Sequence, residues 1–332
     1  MKQLNYFLSV IFLVGLISCN GSENGDNSIQ HQPSITGEWK PLTVMPTPRS
    51  EIDGVIYDGV IYVAGGFYNG SETSGAFEAY HIEEERWEIL PDMPQPAHHP
   101  AVAAANGIVY VSGGWYNFGE EQQNLSSFWG YNIENGEWTE KADMPYTRGA
   151  HRKVHYDGAI YVITGAGPEP GDILRYDIEN DNWDILDVKL ERTRDHAAIT
   201  LAGDELYIIS GRGAGTEQPR VDVFNFENYE FRRLPDIPTP RGGHVAEYAG
   251  GRVYVIGGEV GGDNPHTLDS VEIYDIEQES WITGQNLPYT IHGHASAQHN
   301  GNIYAIGGAT GAFFDTFETL TGKNYVFTPD NN

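Results

Sequence analysis

Cysteine is almost missing from these 332 residues: Cys19 is the only one. A disulfide framework, a CxxC redox or zinc motif and a cysteine-dependent nucleophile in the body of the chain are thereby excluded. Cations are also scarce, with 19 Lys and Arg against 47 Asp and Glu and a formal charge of −28. Nucleic acids need a basic face, so no nucleic-acid partner is expected. No phosphate-binding loop of the GxxxxGK type occurs. Outside the N-terminus no apolar run approaches the roughly 20 residues of a spanning helix. What is plentiful is glycine, 40 residues, and aromatic side chains at 12%. Short apolar runs set among turn residues point to strands joined by tight loops, an all-β chain.

The N-terminus is a different kind of sequence. Lys2 precedes an apolar stretch from Tyr6 to Ile17, too short to span a bilayer but sufficient for a secretory signal. Leu16-Ile17-Ser18-Cys19 resembles the bacterial lipobox, in which the cysteine becomes the lipidated first residue. Residues 1–18 are therefore expected to be a lipoprotein signal peptide. Residues 19–35 would form a lipid-anchored polar tether, and residues 36–328 the folded domain. Asn20 after the cysteine favours the outer membrane, facing the periplasm or the cell surface. The lipid, rather than a spanning segment, would hold the protein there.

The folded part repeats. YHIEEERW (80–87), YNIENGEW (131–138), YDIENDNW (176–183), FNFENYEF (224–231) and YDIEQESW (274–281) each place two aromatics seven residues apart. Upstream of each lies an apolar run ending in glycines, and a sixth run, IYAIGG, follows at 303–308. The glycine marks at Gly65, Gly113, Gly165, Gly211, Gly257 and Gly307 are 46 to 52 residues apart. Each unit reads as a proline loop, a strand, a tight turn, the apolar strand, a second loop, the tyrosine strand, an acidic turn and the tryptophan strand.

Double glycine, tyrosine and a tryptophan seven residues later resemble the kelch repeat, over nearly the whole chain beyond residue 36. The resemblance implies a six-bladed β-propeller with four antiparallel strands per blade. Trp39 lacks strands of its own and is expected to close the ring as the outermost strand of the last blade, in competition with the C-terminal Leu320 and Phe327. In such a blade the loops between tryptophan strand and next blade, and the loops after the glycines, emerge at one mouth of the central channel.

Those loops carry Arg49, Glu51, His98, His99, Arg148, His151, Arg152, Arg194, Asp195, His196, Arg241, His244, His292 and His294, with Trp115, Tyr116, Arg212, Glu217, Arg220 and Glu259 after the glycines. Counting back seven residues from each turn glycine aligns Ile52, Pro100, His151, His196, His244 and His294, so these histidines read as structural. Three residues earlier, Arg49, Ala97, Arg148, Thr193, Arg241 and Ile291 align, again a structural reading for the arginines. The residues that do not repeat are the ligand-contact candidates: His99, Trp115, Tyr116, Arg152, Arg194, Asp195 and Arg212. Guanidinium forks match carboxylates, and flat aromatics match sugar rings. An acidic carbohydrate is the ligand this set implies, with a protein-interaction scaffold as the alternative.

Catalysis is the remaining alternative. The architecture is similar to the bacterial exported kelch family that includes N-acetylneuraminate epimerase. That resemblance implies a glutamate and an arginine on a post-glycine loop, for which Glu217 and Arg220 stand here. Arg212 occupies the place directly after Gly211 where the family pattern has its glutamate. A lyase would instead draw its base from His98, His99 or His292. Glu259, Asp263 and His266 resemble the metal triplet of plant kelch specifier proteins with one residue fewer between them, and are read as a blade connector. No metal, no cofactor and a monomeric chain are expected.

Overall fold

A computed structural model describes residues 34–330; the signal segment, Cys19 and residues 20–33 lie outside the described residues. Six sheets, each built on four antiparallel strands, follow one another among the described residues. Blade 1 shows the pattern with Asp53–Tyr57, Val60–Ala64, Phe77–His81 and Arg86–Ile89 from the channel outward. Blades 2 to 5 repeat it over 101–140, 152–189, 198–234 and 245–284. The second strand of each is buried along almost its full length, which is why its residues are an unbroken apolar run rather than an alternating one.

Blade 6 takes Ala295–His299, Asn302–Ile306 and Asn324–Pro329 from the C-terminal end and Gly37–Pro41 from the N-terminal end. Phe327 stands in the tyrosine place and pairs with Trp39, as Tyr80 pairs with Trp87 and Tyr274 with Trp281. The N-terminal strand is therefore the outermost one, and the two ends of the domain share a sheet. This pairing leaves no open blade edge between the first and last units. Ser34–Ile35, at the end of the segment read as tether, also pairs, in parallel with Thr283 and Gly284 of blade 5.

The tyrosine and tryptophan have a physical reason to recur. In each blade the two rings sit side by side, with centroids 4.9 to 5.3 Å apart. The indole N–H then reaches the preceding blade: Trp138 donates to the Pro91 carbonyl (2.9 Å), Trp183 to Ala142 (2.7 Å), Trp281 to Pro235 (3.0 Å) and Trp39 to Gln285 (3.0 Å). The glycine pairs admit the neighbouring blade's loop. A Cβ on Gly65, whose φ is +67°, would lie 2.3 Å from the Ala97 carbonyl oxygen.

The arginines of the proline loops act between strands. Arg49 is fully buried against Glu78 (3.0 Å), Arg241 against Glu272 (3.0 Å) and Arg194 against Asp222 (2.9 Å). Arg148 donates instead to the carbonyls of Thr164, Glu169 and Asp172. Arg194 thus belongs to the structural set, which corrects its assignment to a ligand. The misalignment came from one turn: blade 4 turns on Gly203-Asp204 between the paired Ala202 and Glu205, with the glycine first. Blade 1 turns on Asp58-Gly59, with the glycine second. Counting from the glycine shifted blade 4 by one residue. Ala197, not His196, is the partner of His151, His244 and His294, and Arg194, not Thr193, is the partner of Arg49.

Candidate functional site

The corrected register brings Glu51, His99, Ala150, His196, Gly243 and Gly293 into one ring. All six have left-handed backbone, with φ of +54°, +54°, +49°, +51°, +63° and +58°. Five of the six hand their amides to the preceding blade. His99 N–H donates to the Glu51 carbonyl (2.8 Å), Ala150 to His99 (3.2 Å), His196 to Ala150 (3.1 Å), Gly243 to His196 (3.1 Å) and Gly293 to Gly243 (2.8 Å). The Ile52 amide returns to Gly293 (3.3 Å). A closed belt of backbone hydrogen bonds therefore encircles the channel at its mouth. Glycine fills two of the six strained places, while Glu51, His99 and His196 tolerate the same conformation with full side chains.

Above this belt is a cavity of about 210 Å³. Its floor is polar, formed by Glu51, His99, His196, Arg212 and Glu259, and its walls are Phe67, Phe118, Phe313, Phe314 and Phe317. Arg212 follows Gly211 of blade 4 and Glu259 the glycine pair of blade 5, so each projects from the start of a short hairpin, Arg212–Gly213 and Glu259–Val260. Three of the phenylalanines come from Phe313–Glu318, a short 3-10 turn where the other blades have hairpins or loops.

Ion pairs tie the floor together. Glu51 Oε2 lies 3.0 Å from His99 Nε2, and Oε1 lies 3.3 Å from His292 Nδ1. Glu259 pairs with Arg212, stands 3.5 Å from His292 and accepts the Phe313 amide (2.8 Å). Asp195 accepts from His196 Nδ1 at 2.5 Å. Burial alone would raise the Glu51 pKa, but its two histidine neighbours hold it well below the ordinary carboxylate value. Burial would lower that of His292, yet the Glu51 hydrogen bond and the Glu259 charge raise it. Burial wins at His99, whose pKa is lowered, and at His98, where it falls to about 3. For Asp195, burial is outweighed by the His196 hydrogen bond and the pKa is lowered.

The residues singled out from sequence scatter around this floor. His99 and Arg212 line the cavity, and Asp195 orients His196 beneath it. His98 and His292 are buried behind it: His98 stacks on Phe67 with ring centres 4.0 Å apart, and His292 bonds Thr316. Trp115 underlies His99 and covers Gly149, where a Cβ would lie 2.3 Å from its ring. Glu217 stands 3.5 Å from Arg212, at the cavity's flank. Three assignments are corrected. Arg152 lies down the channel on Asp53 (3.3 Å), because its strand runs inward from the belt. Tyr116 alternates away from Trp115 and lines an outer groove with Glu72 and Thr73. Arg220 is held outside by Asp222 and Glu191 and does not line the cavity. Of Arg152, Arg194, Arg212 and Arg220, only Arg212 lines the cavity, and it is already paired. Glu51, His196 and Glu259 were missed as ligand contacts. Aligning paired strand ends rather than turn glycines would have found the first two.

These features define a class, a six-bladed kelch-type β-propeller with a small open cavity at one channel mouth. The chain belongs to the Attractin/LZTR1 β-propeller family, whose model matches residues 61–317. It is 25% identical over 291 residues to kelch-like protein 36 of Bos taurus, which covers 84% of this chain and 46% of that protein. It is 27% identical over 173 residues to alpha-scruin of Limulus polyphemus, covering 48% of this chain and 19% of that protein. The chain therefore spans less than half the length of these relatives. Among solved structures, "Structure of YjhT" matches with a TM-score of 0.76 over 87% of this chain and 99% of that one, at 16% identity. That likeness shows the fold alone.

Proposed function

We propose that the channel mouth binds a small, uncharged polyhydroxylated ring, a neutral sugar in the first instance. The observation that carries this reading is the division of the cavity: phenylalanine walls for the C–H faces of a ring, over a floor of carboxylates and histidines for its hydroxyls. An acidic sugar is disfavoured because Arg212 is occupied by Glu259, while Glu51 and Asp195 add negative charge. An enzyme at this site would draw on Glu51, His99 and His196 rather than Glu217 and Arg220. The test is the melting temperature of the full-length chain against neutral and acidic sugars at millimolar concentration. A ligand at a hundredfold excess over its Kd adds about 2.7 kcal/mol. Stabilisation by neutral sugars, lost in Phe317→Ala, is expected; stabilisation by sialic acid or uronates alone would overturn the reading.

Kelch propellers commonly mediate protein–protein interaction, and one observation favours a protein partner here. Phe314 is 75% exposed and Phe118 is 43% exposed on the rim of the same mouth. A flat sugar panel together with a defined partner lost on Phe314→Ser would favour this second reading. We also propose that the N-terminal segment exports the chain and that Cys19 carries the lipid. Incorporation of labelled fatty acid, abolished by Cys19→Ala, is the expected result, and an unlabelled wild type overturns it.

A further inference from the structure

A hydrogen-bond chain beneath the cavity runs from the Asn117 carbonyl through His98 and His99 to Glu51. His98 Nε2 meets the Asn117 carbonyl at 2.9 Å. A carbonyl only accepts, so that nitrogen carries a hydrogen. His98 Nδ1 lies 2.7 Å from His99 Nδ1, which fixes the His99 ring. The other His99 nitrogen, Nε2, faces the Glu51 carboxylate at 3.0 Å. A second histidine is prepared in the same way. His196 gives Nδ1–H to Asp195, which leaves Nε2 as the ring nitrogen available to a ligand.

We propose that Glu51, His99 and His196 form a binding site for a divalent transition-metal ion at the floor of the channel mouth. One ligand atom from each lies within 4.8 Å of the others. Cis ligands on an ion with bonds of about 2.1 Å stand roughly 3 Å apart, which matches the Glu51–His99 separation. Two imidazoles and one carboxylate suit zinc, iron or nickel rather than calcium or magnesium. Asp195 and the His98–Asn117 pair are the outer partners that fix ring orientation and tautomer in such sites. The local composition agrees: four carboxylates, Glu51, Asp195, Glu217 and Glu259, gather there, and Arg212 pairs with Glu217 and Glu259. The three ligands also occupy strained belt positions, where glycine stands in blades 5 and 6. The open side of the ion would face the phenylalanine-walled cavity. No spacing in the sequence could reveal the set, because each ligand comes from a different blade. The site is independent of whether the cavity ligand is a sugar.

The full-length, untagged chain is stripped with chelator and titrated with zinc, and separately with cobalt(II), whose visible spectrum reports nitrogen ligation. One equivalent per chain is expected, with cobalt absorption that zinc displaces. His196→Ala, partly exposed and so the least disruptive variant, should weaken binding at least about 100-fold, and Asp195→Asn about 10- to 100-fold. His266→Ala, on the exposed connector of blade 5, should leave binding unchanged. Circular dichroism of each variant reports whether it is folded. Absence of saturable binding, or binding that survives His196→Ala and His99→Ala, would overturn the proposed site.

Discussion

Glu247 makes the stability of this propeller depend on pH in a direction opposite to that of most carboxylates. It lies on Val245–Ala249, the innermost strand of blade 5, and lines a channel cavity of about 90 Å³ with Asp53, Arg152, Lys153 and Ser296. Burial raises its pKa from 4.5 to about 7, with Asp53 adding to the rise and the Ser296 hydroxyl, 2.6 Å away, opposing it. The folded state therefore holds this proton more tightly than the unfolded chain. Stability from this group is fully present below the unfolded pKa and is lost as pH rises through the folded one, at up to about 1.4 kcal/mol per pH unit. Across the window the loss is at most about 3 kcal/mol. Glu247→Gln keeps an acceptor for Ser296 and removes the titration. Urea unfolding of both proteins between about pH 4.5 and pH 8 isolates the group, since every other carboxylate cancels in the difference. The variant should gain on the wild type as pH rises, chiefly between about pH 5 and pH 7. Parallel curves would refute the argument that Glu247 is protonated by burial.

Further outcomes follow from single contacts. Arg241→Ala leaves Glu272 buried without its cation and should cost about 3 to 5 kcal/mol in urea unfolding. Arg194→Ala should cost less, because Arg220 still reaches Asp222. Trp138→Phe removes the indole donation to Pro91 while keeping the ring, for a loss of about 1 kcal/mol in the same assay. Gly293→Ala puts a Cβ 2.5 Å from Ser50 Oγ at a φ of +58° and should lower stability by more than about 1 kcal/mol, with the melting temperature as the check. Phe314→Ser should change stability by less than about 0.5 kcal/mol, since the ring is mostly in solvent.

How far the site could be read from the chain depended on whether a residue repeats. Arg49, Arg148 and Arg241 recur because each reaches, fully buried, the third strand of a blade or the loop before it, and a recurring contact leaves a recurring letter. His99 and Arg212 stood out because they break the repeat. His196 was hidden by a turn with its glycine in the other place, a one-residue shift that moved a floor residue into the structural set. Phe313, Phe314 and Phe317 lie on a segment that replaces a hairpin, so no alignment of repeats could assign them a wall of the cavity.

The sequence by itself determined the strand order, the blade count and the partner roles of tyrosine, tryptophan and glycine, because these obey contacts repeated at a nearly constant spacing. It also determined that proline loops and post-glycine loops meet at one mouth, since strand direction alternates. Only the tertiary structure decided which side chains meet there. Glu51, His99 and His196 are about one blade or two apart along the chain, and their approach is set by the closure of the ring and by the left-handed belt that turns them toward the axis. Closure brings the first and last blades together, a long-range condition that local spacing does not encode.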